Sequence, residues 1–201
     1  MAFNVNNFRS QMSFDGARPN LFEVELHFPT GAPGLTQNND AATASKFFVK
    51  SAQLPGSTIG IAPVYYFGRE IKFPGNRTFA DWTVTIINDE DFLIRNALEA
   101  WMSSLNSHAG NTRTAVNPTS YSVDATVKQF GKSAGNNTDN VLPIKAYTFK
   151  GMFPVDIAPI DLDWGSNDSI EEYTVTFAYQ WWESFPQTDG DRVNNVAAPQ
   201  N

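Results

Sequence analysis

Residues 21–28, LFEVELHF, alternate without a break, with Phe22, Val24, Leu26 and Phe28 on one side and Glu23, Glu25 and His27 on the other. Successive side chains of a strand point to opposite faces, so this segment predicts a strand with one face in a core and one in water. The same period returns in ADWTVTII (80–87) through Trp82, Val84 and Ile86, and in YSVDATVKQF (121–130) through Tyr121, Val123, Ala125 and Val127. It returns again in IEEYTVTFAYQW (170–181), where Tyr173, Val175, Phe177, Tyr179 and Trp181 share a side. KFFVKSAQL (46–54), VYYFGREIKF (64–73) and IKAYTFKGMF (144–153) predict three more strands from their aromatic and β-branched content. One segment has a longer period. Ile94, Ala97, Leu98, Trp101, Met102 and Leu105 predict an amphipathic helix over 89–106, capped by Asn88, with Asp89, Glu90 and Asp91 in its first turn. Pro, Gly and Asn mark loops at 29–44, 106–119 and 131–140.

These elements predict a mainly β fold, a small β-barrel or β-sandwich of about seven strands, with one helix covering a sheet face or closing a barrel end. No repeat or linker divides the chain, so 1–201 reads as one domain with a polar arm at 1–20 and a polar tail at 184–201. Composition agrees: only 17% of residues are charged, below the usual quarter, and Asn, Thr, Ser, Gly and Pro take their place.

The absence of cysteine excludes disulfides, thiolate metal sites and a thiol nucleophile. The first twenty residues lack the apolar run of a signal peptide, and no stretch is long and apolar enough for a membrane anchor. The sequence thus reads as a soluble protein made inside a cell. Its net charge of −7 is uneven. Residues 1–150 carry 13 basic and 12 acidic side chains, whereas 151–201 carry one base, Arg192, and nine acids. Proteins that grip nucleic acid show the reverse, a basic stripe that displaces counterions. Tight DNA binding is disfavoured.

Three constellations bear on chemistry. Arg69, Lys72 and Arg77 surround Pro74-Gly75, which is either a phosphate-cradling loop or the corner of a hairpin. A phosphate loop opens a helix, but a strand follows here, so the corner reads as a turn. Asp156, Asp161, Asp163 and Asp168 crowd DIAPIDLDWGSND, and Asp161, Asp163, Asn167 and Glu172 have calcium-loop spacing. The loop lacks glycine at its sixth position, Ser166, and reads better as a solvated acidic turn. A glycoside hydrolase using Asp161 and Asp163 is the enzymatic alternative. Yet His27 and His108 are the only histidines, and no nucleophile elbow is present. No enzyme and no cofactor are expected. Trp181 and Trp182 point to opposite faces, so one of them needs a partner beyond its own sheet face, such as a loop, a helix or another subunit.

The order of pieces resembles the tail tube proteins of contractile-tailed bacteriophages, in particular the T4-like group. The resemblance is carried by FRSQM (8–12), GARPNLFEVELHFP (16–29), KSAQLPGSTIG (50–60), YYFGREIKFPGNRTFADWTVTIINDEDFLIRNALEAWMSSLNSH (65–108) and YTFKGMFPVDIAPIDLDWGSNDSIEEYTVTFAYQWWE (147–183). It implies a structural virion protein whose subunits form hexameric rings, stacked into a tube that conducts DNA at ejection without specific binding. Long hairpins of adjacent subunits would merge into the lumen wall. Partners would be copies of itself, the sheath protein, the tape measure protein, the baseplate tube initiator and the tail terminator. In such a tube, Arg69, Lys72 and Arg77 are candidates for pairing between subunits, and Asp156, Asp161, Asp163 and Asp168 for an acidic lumen or surface. A tube subunit of a type VI or related contractile injection system shares the same fold group and is the nearest alternative. A soluble carbohydrate-binding β module is the alternative of a different class.

Overall fold

Two faces of apolar residues must meet for the alternating strands to leave water, and a single bent sheet brings them together. The computed structural model describes residues 5–11, 16–30, 38–132 and 143–186. β1 (Phe22–Leu26), β6 (Val123–Gln129), β7 (Lys145–Ile157), β8 (Glu172–Ala178), β5 (Trp82–Ile87) and β2 (Val49–Ala52) lie side by side in that order, all antiparallel. β9 (Trp181–Pro186) pairs with the first half of β7. The strand order ends at β1 and β2, so among the described residues the sheet does not close into a barrel. It is sandwich-like.

The bend runs through β7. Lys150 lies opposite Trp181 and Phe153 opposite Ala178, so β8 and β9 keep one register along β7 across an interruption at Tyr179-Gln180. On β7 the interruption falls at Gly151, whose φ of +64 is disfavoured for a residue with a side chain. A Cβ there would lie 3.0 Å from Gln180 Cγ. Across this fold, Val24, Leu26, Val127 and Phe149 face Trp82, Val84, Ile86, Val175 and Phe177, all buried. Trp82 and Phe149 stack with centroids 4.3 Å apart. α3 (Leu93–Leu105) fills the remaining side with Ile94, Ala97, Leu98 and the fully buried Trp101, whose Nε1–H donates to the Tyr121 carbonyl at 2.8 Å.

The mainly β reading and the amphipathic helix hold, with differences of detail. Nine strands are present among the described residues, and α3 is joined by α2 (Asn38–Phe48) and by the short helices α1 (Val5–Gln11) and α4 (Pro118–Tyr121). α2 replaces both the end of the expected loop at 29–44 and the start of the expected strand at 46–54. It packs its small residues Ala41 and Ser45 on β1, where Ser45 Oγ accepts the Leu26 N–H at 3.0 Å. Asn88 does not cap α3. Its amide donates to Glu171 Oε2, while Asp89 Oδ1 accepts the Leu93 N–H at 3.1 Å, and the three acids precede the first turn. The expected turn at 131–140 falls mostly outside the described residues, as do residues 31–37 of the first loop and the polar tail beyond Pro186.

Candidate functional site

Between β2 and β5 the chain leaves the sheet and makes a long hairpin of its own. Among the described residues, β3 (Thr58–Tyr66) pairs only with β4 (Arg69–Thr78). The tip is Phe67-Gly68, with φ of 45 and 77, the two positive values that a type I′ two-residue turn requires. The turn was thus legible in the sequence as an x-Gly pair between alternating apolar residues, and the Pro74-Gly75 corner is a misreading. Both residues lie inside β4, beside a bulge that leaves Ile59 opposite Arg77 and Ile61 opposite Pro74. Gly75 is needed for close approach: a Cβ there would sit 3.1 Å from the Gly60 carbonyl oxygen. The prolines are placed with equal economy. Tyr66 and Arg69 close the turn as a hydrogen-bonded pair, so Pro63, opposite Lys72, and Pro74, opposite Ile61, fall at positions whose nitrogens face away from the partner strand.

Every residue of both strands is exposed, including Ile59, Ile61, Val64, Tyr65, Tyr66, Ile71 and Phe73, and Phe67 at the tip is 91% exposed. A two-stranded hairpin is at best marginally stable by itself in water. An apolar surface of this size marks a place where something else binds. Phe67 sharpens the point, because a left-handed conformation costs a side-chain-bearing residue about 1 kcal/mol. Asparagine would fit that backbone better, and the phenyl ring meets Tyr66 edge-on with centroids 4.5 Å apart. The root, by contrast, is fixed. Trp82 Nε1–H donates to the Gln53 carbonyl at 2.8 Å and Trp182 Nε1–H to the Gly56 carbonyl at 3.2 Å, while Phe79 packs on Tyr179 at 5.9 Å. Trp182 therefore finds its partner in a loop, and Trp181 stays half-exposed beside Glu183.

The structure separates the three basic candidates. Arg69 shares a hairpin face with Ile71 and Phe73, whereas Lys72 lies on the other, and the bulge brings Arg77 to the Lys72 side. None of them forms an ion pair among the described residues, whereas Lys46, Lys50, Arg95, Lys128 and Lys150 all do. Asp156 is exposed at the end of β7, and Asp161, Asp163 and Asp168 lie in the exposed β7–β8 loop, residues 158–171. Asp163 Oδ1 accepts the Gly165 N–H at 3.0 Å, and the Ser166 N–H bonds the Asp163 carbonyl at 3.1 Å. No group of three or more carboxylates or histidines suited to a metal ion occurs among the described residues, so Asp161, Asp163 and Glu172 do not converge. No described helix is long and apolar enough to cross a membrane. Sequence reasoning also missed Leu162, Trp164 and Ile170, large apolar side chains that this loop holds in solvent.

A rigid sandwich bearing a pinned, apolar, edge-open hairpin is suited to building an assembly rather than to turning over a substrate. Comparison with known proteins agrees, for the phage tail tube protein family matches residues 17–184. The chain belongs to that family. Tail tube protein gp19 of Enterobacteria phage T4 is 35% identical over 175 residues, covering 87% of this chain and 96% of that protein. Among solved structures, the tube terminating cap of the anti-feeding prophage superposes with a TM-score of 0.60 at 13% identity, covering 88% of this chain and 95% of that one. The sheath–tube complex of the extracellular contractile injection system PVC gives 0.52 at 13% identity, covering 92% and 100%. At that identity the structural likeness speaks for the fold alone. This tail tube protein is a structural component of the virion and not an enzyme.

Proposed function

We propose that copies of this chain close into hexameric rings and stack into the inner tube of a contractile phage tail, through which DNA leaves the capsid. The observation that carries this reading is the β3–β4 hairpin, fixed at its root, rich in large apolar side chains and exposed along its whole length. Docked against neighbouring copies, such hairpins form a continuous wall. A head-to-tail contact that closes makes a ring, and stacked rings make a tube. The bore needs no grip on DNA, and a chain of net charge −7 repels the phosphate backbone. The sheath protein would surround the tube, a terminator and a baseplate initiator would bound it, and the tape measure protein would occupy it during assembly.

Electron microscopy of concentrated full-length protein tests the proposal. Rings or hollow tubes with sixfold symmetry are expected. A protein that stays monomeric at high concentration, and also fails to join tubes seeded from phage baseplates, would refute it.

A further inference from the structure

The hairpin has a counterpart at the far end of the same sheet. β5 and β8 run antiparallel from Trp82 opposite Phe177 to Ile87 opposite Glu172. The hairpin leaves and rejoins the sheet at the Trp82 end, and the β7–β8 loop projects from the Glu172 end, about 17 Å away at the rise of a strand. That loop is built for display. The tight turn from Asp163 to Ser166 holds Trp164 outward at 101% exposure, and the same loop leaves Leu162 and Ile170 in solvent. The two exposed apolar surfaces have complementary charge. The hairpin carries Arg69, Lys72 and Arg77 against one acid, Glu70. The loop and the strand end before it carry Asp156, Asp161, Asp163 and Asp168 with no base. Neither set is neutralised within the described part of the subunit.

We propose that the β7–β8 loop of one subunit is the seat for the β3–β4 hairpin of a second copy, with Trp164 packed on the hairpin's apolar residues. The contact rests on the tube reading above. Its two halves are different surfaces at opposite ends of one sheet, so the contact is heterologous. It joins copies head to tail, the polarity a tube requires. It also removes Asp161 and Asp163 from the bore and makes them partners of Lys72 and Arg77.

The cysteine-free sequence makes the test direct. The double variant Lys72→Cys, Asp163→Cys, assembled and treated with a short bismaleimide, should give a ladder of covalent multimers absent from unassembled protein. Independently, Trp164 emission in the otherwise native chain, obtained by difference from Trp164→Phe, should shift to the blue and lose iodide quenching on assembly. Lys72→Glu with Arg77→Glu should raise the concentration needed for assembly about tenfold, and Asp161→Lys with Asp163→Lys should restore it. Tubes that form without cross-links, with Trp164 still quenched, would overturn the contact while leaving the tube reading intact. Failure of the wild-type chain to form tubes under any condition would remove both.

Discussion

Phe67→Asn separates what the hairpin does for the subunit from what it does for the assembly. In the free subunit Phe67 is 91% exposed at φ 45, packed edge-on against Tyr66 with centroids 4.5 Å apart. Replacing it removes almost no burial. It also places Asn-Gly, the preferred type I′ pair, in a turn that already has this geometry. The hairpin should gain about 0.5–1 kcal/mol of local stability, because asparagine tolerates the left-handed region. Native-state hydrogen exchange across 58–78 would show this as severalfold slower exchange, with an unchanged global melting temperature. Assembly should respond in the opposite sense. A phenylalanine buried on docking contributes about 2 kcal/mol, equivalent to roughly a 30-fold change in each association constant. Sedimentation of a concentration series reads that as a higher threshold for tube formation. A variant that assembles at the wild-type threshold would show that the ring is not buried in the tube. One whose melting temperature fell by several degrees would show that Phe67 supports the fold after all.

Three further outcomes follow from the scaffold. Gly75→Val should push β4 from β3 at the bulge, where the clash is with backbone; assembly should fall sharply in sedimentation while global stability changes by less than about 0.5 kcal/mol. Ser45→Val should cost about 1–3 kcal/mol in urea denaturation, because it orphans the buried Leu26 N–H that Ser45 Oγ accepts. Glu25→Gln should cost about 1 kcal/mol at neutral pH, since Lys46 and Lys128 both bond this carboxylate at 3.1 Å. Partial burial pushes the Glu25 carboxyl up, but the hydrogen bonds and charges of Lys128 and Lys46 outweigh it and hold it below 4.5. A depressed carboxyl contributes above its unfolded value and loses that contribution as pH falls through its folded value. The two proteins should therefore converge in stability as pH drops below 4.5, and a gap that persisted in acid would refute the assignment.

Where burial was one-sided, the sequence was legible. Val24 and Leu26, Trp82, Val84 and Ile86, and Tyr173, Val175 and Phe177 are alternating and buried as their spacing predicts. The stripe of α3 is equally plain. α2 was not, because its buried face is made of Ala41 and Ser45, side chains small enough for close contact with β1 but too small to make a hydrophobic stripe. Its polar composition then resembled a loop, and Phe47-Phe48-Val49 a strand. At the hairpin, Pro74-Gly75 outweighed Phe67-Gly68 because proline is the stronger local signal, although a ladder with its nitrogen turned outward accommodates it. Which basic residues share a face depended on a bulge that no periodicity announces. The acids after β7 were visible as a cluster, but their position opposite the hairpin is a property of strand order.

The outward-facing prolines of the hairpin matter before any tube exists. A cell producing many copies of a subunit with two bare, apolar strand edges holds a concentrated stock of material able to zip together at random. Pro63 and Pro74 each delete a donor from one of those edges, so a stray ladder stalls within a few residues. Growth is then left to surfaces that match over their whole area, and an ordered assembly gains over a random one.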